Sequence, residues 1–107
     1  MNLNDAFPSS YLSKADVEDP KTYTIMTIVI DDIKDIESGG TEKKPVLHFS
    51  ESDAKPLILN KTNWLILEEL FGRESESWNG KQVQLYNDPN VSFGGRRTGG
   101  VRVRSPQ

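Results

Sequence analysis

The stretch Phe93-Gly94-Gly95-Arg96-Arg97-Thr98-Gly99-Gly100 concentrates more chemistry than any other part of the chain. Glycines let a backbone approach a ligand closely and let a loop reshape. Arginine offers a planar cation that pairs with phosphate and stacks on rings. An aromatic residue among arginines suits single-stranded nucleic acid, where each stacked base contributes about 1–3 kcal/mol. The competing reading is a hairpin tip that arginines keep soluble. Beyond it, Arg102 and Arg104 alternate with Val101 and Val103. In a strand this period of two sends the valines inward and the arginines outward. Tyr86, in Val83-Gln84-Leu85-Tyr86, is expected to point outward as well. There it would stack a base while Arg102 and Arg104 neutralise phosphate. Edge arginines that deter strand-to-strand aggregation explain the same pattern.

Three lysines complete the candidate nucleic-acid-binding set. Lys43 and Lys44 fall in the turn expected at 38–44, and Lys61 follows the third expected strand. On this layout the turns 38–44 and 88–100 flank one face and funnel a polyanion toward it.

Other chemistry is largely excluded. Cysteine is absent and His48 is the single histidine. Disulfides, Cys-based zinc sites and a Cys nucleophile are ruled out, and any Ser-His-Asp scheme has one imidazole to draw on. No lysine-hydroxyl phosphate loop is present. Glu68 and Glu69 are adjacent on a helix and diverge. Asp31 and Asp32 point to opposite faces of a strand, and with Asp35 they read as a solvated acidic face rather than a cation site. Trp64 falls on the apolar stripe of the helix, and Trp78 precedes a turn; both read as core. His48 reads as a half-buried filler. The expectation is a non-enzyme with no catalytic residue, no metal and no cofactor.

Charge points the same way. The 107 residues carry 13 Lys+Arg against 16 Asp+Glu, a net of −3, which excludes a uniformly cationic binder. Residues 1–60 hold 11 acids and 6 lysines, a net of −5. Residues 61–107 hold 7 bases and 5 acids, a net of +2, and no acid follows Asp88. The cations therefore gather in the C-terminal part. No apolar run approaches the ~20 residues of a membrane span, and the first residues lack a signal-peptide pattern. A cytoplasmic protein is expected.

The elements that must position these residues read as one domain behind an arm. Residues 1–20 are punctuated by Phe7-Pro8 and Asp19-Pro20 and form the arm. Residues 23–37 form a long strand, with a bend near Asp31 where the apolar phase changes. Residues 45–50 and 56–60 form a hairpin. Residues 62–71 form the one convincing helix, capped by Thr62 or Asn63 and ended by Gly72 in the left-handed conformation. Trp64, Leu67 and Phe71 make its apolar stripe, and Leu65, Ile66 and Leu70 broaden it. Residues 81–87 and 101–104 are the last two strands, with 91–93 a short extra one. The order β-β-β-α-β-β, with one helix between strands three and four, predicts a mainly β fold. Specifically it predicts a five-stranded OB-like Greek-key barrel over residues 21–107.

A resemblance adds to this. Asp5-Ala6-Phe7-Pro8-Ser9-Ser10-Tyr11-Leu12, Val46-Leu47-His48-Phe49, Leu57-Ile58-Leu59-Asn60-Lys61-Thr62-Asn63, Trp78-Asn79-Gly80-Lys81, Val83-Gln84-Leu85-Tyr86 and Val101-Arg102-Val103-Arg104 resemble a poorly characterised group of small phage and prophage proteins. The resemblance implies a phage-encoded protein acting in the host cytoplasm or built into a particle. Phage replication and recombination modules often carry small OB-fold single-strand binders. Familiar bacterial single-strand binders also carry a long acidic tail, which Ser105-Pro106-Gln107 does not provide. Two functions follow as expectations. One is a non-sequence-specific single-stranded DNA-binding protein. The other is a protein-interaction or virion-assembly module that does not bind nucleic acid. It would form a homo-oligomer or dock a phage partner through its acidic N-terminal half.

Overall fold

A computed structural model describes residues 11–34, 39–93 and 95–106, with Lys34 and Phe93 described by their backbone alone. Seven strands, one α-helix and two short 3-10 turns make up these residues. The strands are β1 (Lys21–Lys34), β2 (Thr41–Phe49), β3 (Leu57–Ile58), β4 (Gln82–Asp88), β5 (Ser92–Phe93), β6 (Arg96–Arg97) and β7 (Gly100–Arg104). The helix α1 spans Lys61–Phe71. Five strands form one antiparallel sheet in the order β3-β2-β1-β4-β7, and β5-β6 form a separate small hairpin.

β1 serves two partners in succession. Its start pairs with β4, from Lys21 opposite Leu85 to Thr24 opposite Gln82. Its remainder pairs with β2, from Ile25 opposite Phe49 to Lys34 opposite Thr41. The changeover needs a bend, and the register shifts between Ile25 and Thr27. The bulge thus lies at Met26 and not near Asp31 as the phase change suggested. Met26 is left half exposed as a result.

The core is the inward set of the sheet. Ile25, Leu47, Phe49, Val83, Leu85 and Val103 are all buried and belong to one cluster. Leu67 of α1 and Trp78 of the 3-10 turn Ser75–Trp78 close over them, each with no exposed surface. The Trp78 indole N–H donates to the Gly72 carbonyl at 2.7 Å, and the Trp64 ring meets it edge-on at 4.8 Å. Leu65 instead faces solvent, half exposed, so the apolar stripe of α1 is narrower than its sequence suggests.

α1 begins earlier than its cap residues predicted. Asn60 is the N-cap, and its side chain accepts from the Asn63 backbone N–H at 2.8 Å. Gly72 ends the helix with φ +108° and ψ 168°. That positive φ comes with an extended ψ, a region open to glycine rather than the left-handed helical one expected.

The expected closed barrel is not formed. β3 and β7 remain the two edges of the sheet. β3 has two residues, and Pro56 before it has no N–H to donate, so it cannot extend a ladder to β7. The helix binds one edge and the arm reaches beside both instead. Asn63 of α1, 1% exposed, donates Nδ2–H to the Val101 carbonyl of β7 at 3.0 Å. The Leu12 N–H donates to the Pro56 carbonyl at 2.8 Å beside β3. Lys14 Nζ donates to the Thr98 carbonyl beside β7. Leu12 and Val17 are buried in the core cluster, and burial of such side chains contributes about 1.5–3 kcal/mol each. Residues 11–20 of the expected arm are thus docked, and residues 1–10 lie outside the described residues.

The docked segment has its own lock. The Ser13 N–H and hydroxyl both donate to Asp16 Oδ2, at 2.8 and 3.1 Å, across the 3-10 turn Lys14–Val17. Lys55 approaches the other Asp16 oxygen at 3.4 Å. The Ser13 N–H holds the Asp16 carboxyl below its usual value and outweighs burial, which pushes the other way; the Ser13 hydroxyl and Lys55 assist.

Candidate nucleic-acid interface

β4 and β7 pair with Leu85 opposite Val103, Gln84 opposite Arg104 and Tyr86 opposite Arg102. Leu85 and Val103 are buried, so the alternation of the pleat sends the other two pairs to the outer face. Thr22 of β1 lies opposite Gln84. A polar row therefore crosses three strands. Arg104 Nε donates to Gln84 Oε1 at 2.7 Å, and Gln84 Nε2 donates to Thr22 Oγ1 at 3.5 Å.

This row holds Arg104 in place. Its guanidinium carbon stands 4.2 Å from the centre of the Tyr86 ring, a cation–π contact. Arg102 sits beside it, with Nη1 3.4 Å from its own strand's Val101 carbonyl. Tyr86, Arg102 and Arg104 are each part-buried, and a part-buried guanidinium loses less side-chain freedom when it binds. Among the described residues, the three ion pairs are Lys43–Asp32, Lys44–Glu42 and Lys55–Asp16, and none involves an arginine. Among the described residues the surface therefore offers cations, a ring and a stacked guanidinium plane that no carboxylate pairs with.

The short strand expected at 91–93 is present as β5, and a second one, β6, forms inside the turn expected after it. Ser92 pairs with Arg97 and Phe93 with Arg96 in the β5-β6 hairpin, whose turn includes Gly95 at φ +80°. The Thr98 and Gly99 amides both donate to the Val91 carbonyl and tie off its base. Arg96 and Arg97 are exposed. Arg97 also borders a cavity beside Asn87, whose side chain alternates with Tyr86 to the opposite face of β4. The two arginines therefore share a hairpin adjoining the Tyr86 face, but Arg97 faces the docked arm.

The lysines do not join this group. Lys43 and Lys44 belong to β2 rather than to a loop, because that strand starts at Thr41. Lys43 pairs with Asp32 at 3.1 Å, and Lys44 stands 4.0 Å from Glu42 and opposite Asp31. Their charge is locally matched, and by alternation they take opposite faces of the ribbon. Lys61 is exposed at the start of α1. The expected funnel of two basic loops thus reduces to one basic side. His48 is part-buried on the outer face opposite Thr27, and its Nε2 has no partner among the described residues.

Sequence reasoning missed Gln84 and Thr22, which orient Arg104. The outward phase of Gln84 was legible; its partner on β1 depended on a pairing between distant strands. The chain matches no protein-family model, no curated protein and no solved structure.

Proposed function

We propose that this protein binds single-stranded DNA without sequence preference, on the outer face of β4 and β7 and along the β5-β6 hairpin. The observation that carries the reading is the Arg102–Tyr86–Arg104 group. It is cationic and aromatic, is held by Gln84 and Thr22, and has no carboxylate partner among the described residues. Arginines displace counterions from the backbone, while bases stack on the Tyr86 ring and the Arg104 plane.

The strand pairing supports an OB-like origin for this surface. β1 pairs with both β2 and β4, β2 with β3, β4 with β7, and α1 lies between β3 and β4. That is the OB pairing scheme with its β3-to-β7 closure missing. The resemblance to small phage proteins fits the same role.

The test is fluorescence anisotropy with labelled oligo-dT at low salt. Wild-type protein binds, and Arg102→Glu with Arg104→Glu abolishes binding. No binding by the wild type, or full binding by the double variant, overturns the reading.

A second reading as an assembly module draws on β1. Met26, Val29 and Ile30 are three of the four exposed large hydrophobics among the described residues, and they lie beside Asp31 and Asp32. This reading predicts a stable oligomer on size exclusion that survives Arg96→Glu with Arg97→Glu. The same variant weakens DNA binding under the first.

A further inference from the structure

A cavity of about 350 Å³ opens between the docked arm and the base of the β5-β6 hairpin. Lys14, Glu18, Asn87, Pro89, Arg97 and Thr98 line it, among others. The volume is within the range of small-ligand sites, about 300–1,000 Å³. Its walls come from segments far apart in the chain, since Lys14 and Thr98 are 84 residues apart.

Resting on the reading above, and adding a preference at one base to the sequence-independent contacts of the sheet face, we propose that this cavity takes one nucleotide of the bound strand, with a base that carries an exocyclic amino group. The groups are sorted for such a ligand. Lys14 and Arg97 supply cations for a phosphate. Lys14 spends one N–H on the Thr98 carbonyl and retains two. Asn87 Oδ1 is buried with no partner among the described residues, an acceptor left without a donor. Such a group costs free energy until a donor reaches it. Gly99 packs close beside it, since a Cβ there would stand 3.1 Å from Oδ1, and a donor reaches Oδ1 through a small rotation of the Asn87 side chain toward the cavity. Glu18 is a second acceptor on the same wall, and no ion pair joins it to Lys14 or Arg97 among the described residues.

A bare phosphate fits this set poorly, because its charge would meet the Glu18 carboxylate. Thymine and uracil present O4 where cytosine presents N4–H₂. Cytosine donates from N4 to Glu18 or Asn87 while its 5′-phosphate meets Lys14 and Arg97. The cavity lies beyond Asn87, on the other side of β4 from Tyr86. A strand crossing the outer face would therefore turn one base inward around the hairpin.

The test is an NMR titration of the full chain with dCMP, dUMP and inorganic phosphate at millimolar concentrations, set beside oligo-dT binding. dCMP is expected to shift the Asn87 side-chain amide and the Glu18 and Thr98 amides, and to bind roughly tenfold tighter than dUMP, the equivalent of about 1.4 kcal/mol. Glu18→Gln is expected to reduce that preference, and Arg97→Gln to weaken both nucleotides alike. Both residues line the cavity surface, and spectra elsewhere report whether the fold is intact. Equal affinity for dCMP and dUMP, equal affinity for phosphate, or no shifts around the cavity overturns the proposal. A protein that binds oligo-dT but shows none of these shifts sinks the cavity alone. One that binds dCMP there but ignores oligo-dT upholds the cavity and sinks the sheet-face reading.

Discussion

Asn63 ties α1 to the edge strand β7, so its loss has a calculable cost. Its Nδ2–H bond to Val101 is 3.0 Å long, and the residue is 1% exposed. Truncation by Asn63→Ala removes a net contribution of about 1 kcal/mol and leaves the Val101 carbonyl to the longer 3.4 Å bond from Arg102 Nη1, so part of the about 1–3 kcal/mol cost of an unsatisfied acceptor is added. Two features temper the sum. Asn63 Oδ1 has no partner among the described residues, so its removal recovers part of a desolvation cost. The Asn60 cap bonds the backbone N–H of residue 63, which alanine keeps. The expected net loss is about 2 kcal/mol, or roughly 10 °C in Tm for a domain near 100 residues. Asn63→Asp sharpens the test. Above its titration, the new carboxylate faces the Val101 carbonyl and repels it. When protonated, it donates in place of the amide. Burial raises its folded pKa above the unfolded ~3.9, so stability is present below that value and is lost as pH rises through the folded pKa. Thermal melts from pH 3 to 7, with wild type as reference, read both effects. A change below ~2 °C for the alanine variant, or parallel pH curves for the aspartate variant and wild type, refutes that role.

Asp16 has a depressed folded pKa, so its contribution is present above its unfolded value and is lost as pH falls through the folded one. Hydrogen exchange is expected to show the Leu12 amide losing protection in acid before Val83 does, and Asp16→Asn is expected to abolish that difference. Tyr23 has the opposite sign. Burial pushes its phenol above 10, aided by the carboxylates of Asp53, Asp16 and Glu51. Its stabilisation is therefore lost as pH rises past 10, which an absorbance titration follows and Tyr23→Phe removes. Gly99→Ala places a side chain at φ +73° and is expected to cost about 1–2 kcal/mol in a denaturant melt.

Sequence alone carried the outer face well, because period-two alternation in β4 and β7 depends on neighbouring residues. Val103 and Leu85 inward, Arg102, Arg104 and Tyr86 outward, all follow from spacing. The Met26 bulge was not legible, since both faces of β1 are apolar there and the pattern fixes no phase. Asn60, Thr62 and Asn63 are all competent caps; the choice depended on where Leu67 meets the core. The open edge depended on the length of β3, and short strands leave little periodicity to read. The cavity depended on an arm whose docking residues, Leu12 and Val17, show no sustained pattern.

The proposed function turns on arginines that have no carboxylate partner among the described residues binding the backbone of a single strand. Anisotropy of labelled oligo-dT across a salt series tests it most directly. Arg96, Arg97, Arg102 and Arg104 acting together give a slope of log K against log salt near −2.8, at about −0.7 per phosphate contact. Arg102→Gln with Arg104→Gln brings it to roughly −1.4. A flat slope, a slope unchanged in the double variant, or no binding at low salt contradicts the account.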